Sequence, residues 1–293
     1  MSYSKHKMLF EAMEPIHVGA GGYRLGRVDM TIAREPGTNL PKIPGTSLAG
    51  AARAYAALRY GRPEAGGQHL KYKPDPAKPC PILYTFGTVL AGEQGQAGRV
   101  SFGDARIVLF PVATMTGPVW VTTAELLKEI GVTASAPASR EQIVTNFEAK
   151  QGLNLGWLLF RGVQDATEMT GCPVARVAVV DWSLYPQVVN SNLEVRTSVS
   201  INPETRAAQK GQLFSYEAIP RATWLMNEVV KDSYGAKFSS WPVATDADGV
   251  KLEPAWESPL DVAKAGLELM KTLGVGGMGT RGFGRLRLVK EVK

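Results

Sequence analysis

Residues 258–289 read SPLDVAKAGLELMKTLGVGGMGTRGFGRLRLV, and this stretch decides the fold. Ser258, Pro259 and Asp261 mark a helix start: a capping hydroxyl, a proline at the first helical position where its missing N–H is no loss, and an acid at the positive end of the dipole. The helix runs to about Leu273. Six glycines between 274 and 284 stop it, and Phe283 to Val289 closes the chain as a strand. Gly274-x-Gly276-x-x-Gly279 imitates the dinucleotide fingerprint, but that motif must follow a strand and open a helix. Here it follows a helix, and the 14 residues after Gly279 cannot build a βαβ unit, so nicotinamide and flavin binding are excluded.

Working back from this end, Met8 to Ile16 reads as a strand, followed by a glycine loop at 19–22 and a second extended stretch at 27–34. Pro44-Gly45-Thr46-Ser47 leads into an alanine-rich helix over 48–60, with Thr46 or Ser47 as N-cap. Residues 61–98 are an irregular insertion rich in Gly and Pro. Strands are expected at 100–112 and 119–121. Thr122-x-x-Glu125 and Ser139-x-x-Gln142 are capping boxes that predict helices at 123–130 and 140–150, with strands at 153–161 and 174–184. Extended runs at 193–201 and 212–219, separated by polar residues, predict a long hairpin over about 192–219. Strand, helix, strands, helix, strand gives an α+β, ferredoxin-like β-α-β-β-α-β core, with insertions at 61–98 and 113–190. The last strand then lies beside the first. Segment 17–29, the start of the 46–60 helix and the glycine loop should therefore converge.

Composition sets the class. The chain has 293 residues, 44% apolar and 20% charged, the profile of a globular protein able to bury its own core. No apolar run is long enough to span a bilayer and no signal peptide is visible, so no membrane partner and a cytoplasmic location are expected. Cys80 and Cys172, the only cysteines, exclude a disulfide framework and a cysteine zinc knuckle. The net charge of +6 is unevenly spread: residues 1–80 carry 12 basic and 6 acidic side chains, residues 271–293 carry 6 and 1, and the middle is net acidic. Two basic ends that meet make one surface suited to a polyanion.

The chemistry-bearing residues lie in those ends and in the hairpin. Gly276, Gly277, Met278 and Gly279, with Arg281 and Arg285, can let a phosphate backbone approach while amides and guanidinium groups hold it. Thr46 and Ser47 at a helix start, with Arg53 two turns in, form an anion site or a well-capped helix. Asp29 can hold a divalent metal, orient a ribose 2′-hydroxyl, or pair with Arg27 or Arg34; spacing alone favours the ion pair. His17 is a core histidine or a general base. In the hairpin, Arg196 with apolar Val199, Ile201, Leu213 and Phe214 can hold phosphates and wedge between bases, or belong to a core meander.

These motifs resemble a known family. HVGAGGYRLGRVDMTIAREPGTNLPKIPGTSLAGAAR at 17–53, SFGDARIVLFPV at 101–112, RTSVSI at 196–201, QLFSYEAIPR at 212–221 and GGMGTRGFGRL at 276–286 are similar to the RAMP proteins of type III CRISPR systems. The likeness is greatest to the repeated backbone subunit of the type III-B (Cmr) effector. It implies one RAMP domain over 1–293, built on a modified RNA-recognition-motif core. Copies of it would stack along a guide (CRISPR) RNA together with other type III effector subunits. The hairpin would be the thumb that interrupts the guide–target duplex and flips out a nucleotide of the target RNA. Asp29 matches the aspartate needed for cleavage, with Mg²⁺ or another divalent cation and the RNA's own 2′-hydroxyl; His17 is an accessory. Where a phosphate-binding lysine is common in the family, this chain has Ala49. Guide contacts there would come from Lys42, Thr46, Ser47 or Arg53.

Overall fold

The structure, a computed structural model, describes residues 3–21, 28–67, 69–70, 80–90, 95–149, 152–165, 169–232, 244–247 and 250–292. Gly22 and Arg27 lie outside the described residues, as do parts of the 61–98 insertion. Six elements form the core: β1 (Tyr3–Ala12), α1 (Gly45–Arg59), β2 (Ala105–Thr114), β3 (Trp224–Asp232), α2 (Pro259–Leu273) and β4 (Leu286–Val292). They make an antiparallel sheet in the order β4-β1-β3-β2, the ferredoxin-like arrangement. Glu11 sits opposite both Trp224 of β3 and Arg287 of β4, which fixes the register at the end where the site is built.

Met8, Leu9 and Phe10 are all fully buried, so both faces of β1 are covered at its centre. The two helices touch closely. A methyl group at Gly266 would overlap the carbonyl of Ala52, and only glycine allows this approach. Ala56, Ala57, Ala65, Ile82, Trp256 and Val262 form a second apolar cluster, so part of the 61–98 insertion packs against the helices. Beyond β2 the sheet continues through Gly117–Thr122, Val177–Val179, Gln142–Thr145 and Gly162–Asp165.

Several expectations need correction. β1 begins and ends earlier than the expected 8–16, because its polar start still pairs with β3. The 100–112 strand is two pieces, Val100–Phe102 and β2, broken at Gly103-Asp104. Instead of a helix at 140–150, Gln142–Thr145 is a strand: Ile143, Val144 and Thr145 are buried between neighbouring strands, and sheet pairing overrides the capping pattern. The short helix is Ala124–Glu129, and Thr123 rather than Thr122 caps it; the Thr122 hydroxyl donates to the Val108 carbonyl at 2.7 Å. The 153–161 strand folds back on itself, Leu153–Leu155 pairing with Leu158–Phe160. Of 174–184 only Val177–Val179 is strand, and an unexpected helix, Tyr185–Ser191, follows. The largest omission is β3, the strand at the centre of the core sheet.

Candidate functional site

The hairpin is Glu194–Ile201 paired with Ala208–Ala218, Val199 opposite Leu213 and Arg196 opposite Tyr216. At its root, the extended segment around residues 29–34 lies alongside the second strand. The amides of Asp29 and Met30 both donate to the Ser215 carbonyl at 3.1 Å, and the Glu217 amide donates to the Met30 carbonyl at 3.2 Å. The Asp29 carboxylate completes the junction: its Oδ2 accepts from the Ser215 amide at 2.7 Å and from the Ser215 hydroxyl at 2.9 Å. The amide first, and then the hydroxyl, hold this exposed carboxyl below the ordinary aspartate value of 3.8. Asp29 is therefore ionised at neutral pH. Below it, Arg34 and Glu217 form an almost fully buried pair at 2.7 Å, and the Ile32 amide donates to the same Glu217 oxygen at 3.1 Å. The Asp29–Arg34 pairing that spacing favoured is thus not formed. Arg34 takes Glu217 and Asn190 instead.

A cleft of about 400 Å³ opens beside Asp29, lined by His17, Gly19–Gly21 and Asp29–Thr31. His17 is 3% exposed. Its Nδ1–H donates to the Glu217 carbonyl at 2.7 Å, which leaves Nε2 as an acceptor. The glycine loop docks on the same residue: the Gly277 amide donates to the His17 carbonyl at 2.8 Å, and the Gly284 amide to that of Pro15 at 2.8 Å. Gly276, at φ +86°, sits so close to the His17 carbonyl that a side chain there would collide with it. The expected meeting of the first loop and the glycine loop is thus formed. The start of α1 is held by Asp104, which accepts from the Gly45 amide at 2.7 Å and from Lys42 Nζ at 2.5 Å.

The two faces of the hairpin differ. Phe214 and Tyr216 lie on one side and pack with Phe283 and Met278 of the glycine loop. Arg281 lies over the Phe214 ring at 5.3 Å and Arg196 over that of Phe283 at 4.8 Å. On the side shared with Ser215, Val199 and Leu213 project outward, 42% and 67% exposed, and Ile201 is exposed beyond them. An apolar strip therefore leads away from Asp29 along the hairpin.

Of the residues singled out in the sequence, Asp29, His17, Val199 and Leu213 surround one cleft and its adjoining hairpin face. Gly276 and Gly277 pack against His17, whereas Met278 joins the Tyr216 and Phe283 cluster on the hairpin's other face, exposed Arg281 lies over Phe214 there, and Gly279 is exposed. Arg285 is exposed too, and its carbonyl accepts from the Met13 amide. Phe214 and Arg196 belong to the opposite, packed side. Lys42 is paired to Asp104 and to Glu35 at 3.2 Å. Thr46 and Ser47 make no side-chain cap, because Pro44 occupies the N-cap position and Asp104 serves the first amide. Arg53 is buried, 7% exposed, and its Nε donates to the Ala65 carbonyl at 3.0 Å. Ser215 and Glu217, which hold the site, were missed. Their only signal was their place in the QLFSYEAIPR stretch.

Among the described residues no three His, Cys, Asp or Glu side chains stand together. Asp29 has one carboxylate oxygen that no other described residue engages. A single carboxylate is what Mg²⁺ asks of a protein when phosphates and water complete its shell.

A relative from Pyrococcus furiosus, named CRISPR system Cmr endoribonuclease Cmr4, is 29% identical over 240 residues, 72% of this chain and 76% of its own length. The fold is similar to the apo type III-B Cmr-beta structure, with a TM-score of 0.65 and 17% identity over 99% of this chain and 98% of that one. It is also similar to Cmr-beta bound to cognate target RNA, with a TM-score of 0.63 and 16% identity over 99% and 97%. The RAMP superfamily pattern matches residues 9–287, from the first strand through the glycine loop to the last strand. The chain belongs to the RAMP superfamily.

Proposed function

We propose that this chain is the guide-RNA-binding backbone subunit of a type III, III-B-like CRISPR effector, stacking with its own copies and other subunits, and that it cuts target RNA at Asp29. The observation that carries this is the fixed, ionised Asp29 at the root of a hairpin whose apolar strip starts at the same residue, Ser215. A guide strand laid against the glycine loop meets exposed Arg281 and Arg285. Val199 and Leu213, on the hairpin's other face, wedge into the stack of the target strand and free one nucleotide to rotate toward in-line geometry.

In the reaction, the 2′-oxygen attacks the neighbouring phosphorus as it loses its proton. The P–O5′ bond breaks and the departing 5′-oxygen gains a proton, leaving a 2′,3′-cyclic phosphate and a 5′-hydroxyl. Asp29, held below the usual carboxylate range, is a weak base, so its role is to orient the 2′-hydroxyl or hold a cation. His17 Nε2 is the accessory proton acceptor. Asp29 would hold a divalent cation through its unengaged carboxylate oxygen, and the ion would supply offsetting charge at the phosphate.

A second reading has Asp29 as a staple only, since its paired bonds to Ser215 tie the loop to the hairpin. Asp29→Asn separates the two, because asparagine still accepts from Ser215. The effector carrying it should assemble and bind target normally while cleavage falls at least about a hundredfold; undiminished cleavage at every interval refutes the catalytic reading.

A further inference from the structure

We infer that the Ser215 hydroxyl is a positioning residue for the cleavage step, fixing the Asp29 carboxylate relative to the apolar strip that displaces the target nucleotide. The inference rests on the proposed function and adds to it a residue on a different element from Asp29. Two features of the geometry lead there.

First, the hydroxyl is bonded in both directions. It donates to Asp29 Oδ2 at 2.9 Å and accepts from the Asp29 amide at 3.2 Å, so it fixes both the backbone and the carboxylate of the same residue. The Ser215 amide makes a second bond to the same oxygen at 2.7 Å. With Oδ2 committed twice, rotation of the carboxylate is restrained and Oδ1 becomes the oxygen offered to a ligand. The Ser215 carbonyl keeps its bond from the Asp29 amide, and the Ser215 amide its bond to Oδ2, in any substitution of Ser215 that retains the amide N–H, so the side chain alone decides whether one bond or two orient the carboxylate.

Second, Ser215 is two residues from Leu213 on the same strand, and Leu213 is directly opposite Val199. Residues two apart on a strand share a face. The hydroxyl that sets the carboxylate is therefore built into the ladder that carries the wedge, and a hairpin shift moves Asp29 with it. Loss of the hydroxyl leaves the amide alone to tie the carboxylate to the hairpin and loosens that coupling. It affects the rate at which a correctly bound target reaches in-line geometry, not the binding of that target.

Ser215→Thr and Ser215→Val test this in the effector assembled on its guide RNA, because the two side chains have the same shape and differ in the hydroxyl. We expect Ser215→Val to slow single-turnover cleavage about tenfold with target affinity unchanged, and Ser215→Thr to stay within about threefold of the parent. If Ser215→Val does not assemble, Ser215→Ala takes its place with the same expectation. In an Asp29→Asn background the hydroxyl should no longer matter, because both substitutions act through one carboxylate. Equal cleavage by the Val and Thr forms, with Asp29→Asn inactive, overturns the positioning role and leaves the proposed function standing. Equal cleavage by all of them, Asp29→Asn included, overturns the proposed function itself.

Discussion

Removing the charge of Glu217 should destabilise the whole site from beneath. In Glu217→Gln the shape is kept, but the Arg34 guanidinium, paired at 2.7 Å with side chains 15% and 10% exposed, loses its counter-charge in a nearly dry environment. Breaking such a pair from one side costs about 3–5 kcal/mol when nothing replaces it. Here the amide oxygen still accepts a neutral bond, and Arg34 keeps Asn190 and the Asn39 carbonyl, so about 2 kcal/mol is expected. For a chain of this size that corresponds to a fall in Tm of roughly 3 °C. The assay is a double-mutant cycle in thermal or denaturant unfolding, using Glu217→Gln, Arg34→Met and the pair. The double variant should be more stable than the sum of single effects predicts by at least about 1 kcal/mol, because no charge is left unmatched. Strict additivity, or a Glu217→Gln effect below about 0.5 kcal/mol, would refute the view that this pair anchors the Asp29 segment.

Other perturbations read other parts of the structure. Asp104→Asn should destabilise the start of α1 by a margin that is constant across neutral pH. Burial raises the Asp104 pKa, but Lys42 and the Gly45 amide more than offset this, so it lies below 3.8; the Asp104 bond is the largest effect lifting Lys42 above 10.5. The stabilisation is then present between those values, and the gap between variant and parent, followed by denaturant titration at each pH, should close as pH falls below 3.8 or rises through the raised lysine value. Gly276→Ala should loosen the glycine loop, through the positive φ and the collision with the His17 carbonyl, and cost about 1–2 kcal/mol in unfolding experiments. Replacing Arg281 and Arg285 by glutamine should weaken RNA binding regardless of sequence and lower the slope of log affinity against log salt by about 1 to 2; an unchanged slope would place the RNA elsewhere.

The sequence carried the order of the core elements because their signals are local. The Ser258-Pro259 start, the glycine run after Leu273 and the alternation of the hairpin strands each follow from a few neighbouring residues. β3 escaped because Trp224–Asp232 is buried almost continuously at the centre of the sheet and shows no alternation to separate it from a buried helix. Gln142–Thr145 misled for the opposite reason: a strong local capping pattern yields to partners supplied from 162–165 and 177–179. The same limit applied at the site. Asp29, His17 and the glycine loop could be picked out along the chain, while the hold of Ser215 on Asp29 spans 186 positions and of Glu217 on Arg34 spans 183. No spacing rule reaches that far. Arg53 looked available because its helix position is polar by type, yet the insertion buries it.

The most direct measurement is a structure of the assembled effector with guide and target RNA bound. A target phosphodiester should lie beside Asp29, within one cation's reach of its free carboxylate oxygen, with Leu213 and Val199 inserted into the strand and the glycine loop against the guide. A polynucleotide path that leaves the cleft lined by His17, Gly19–Gly21 and Asp29–Thr31 empty, or that places no target phosphodiester near Asp29, would contradict it.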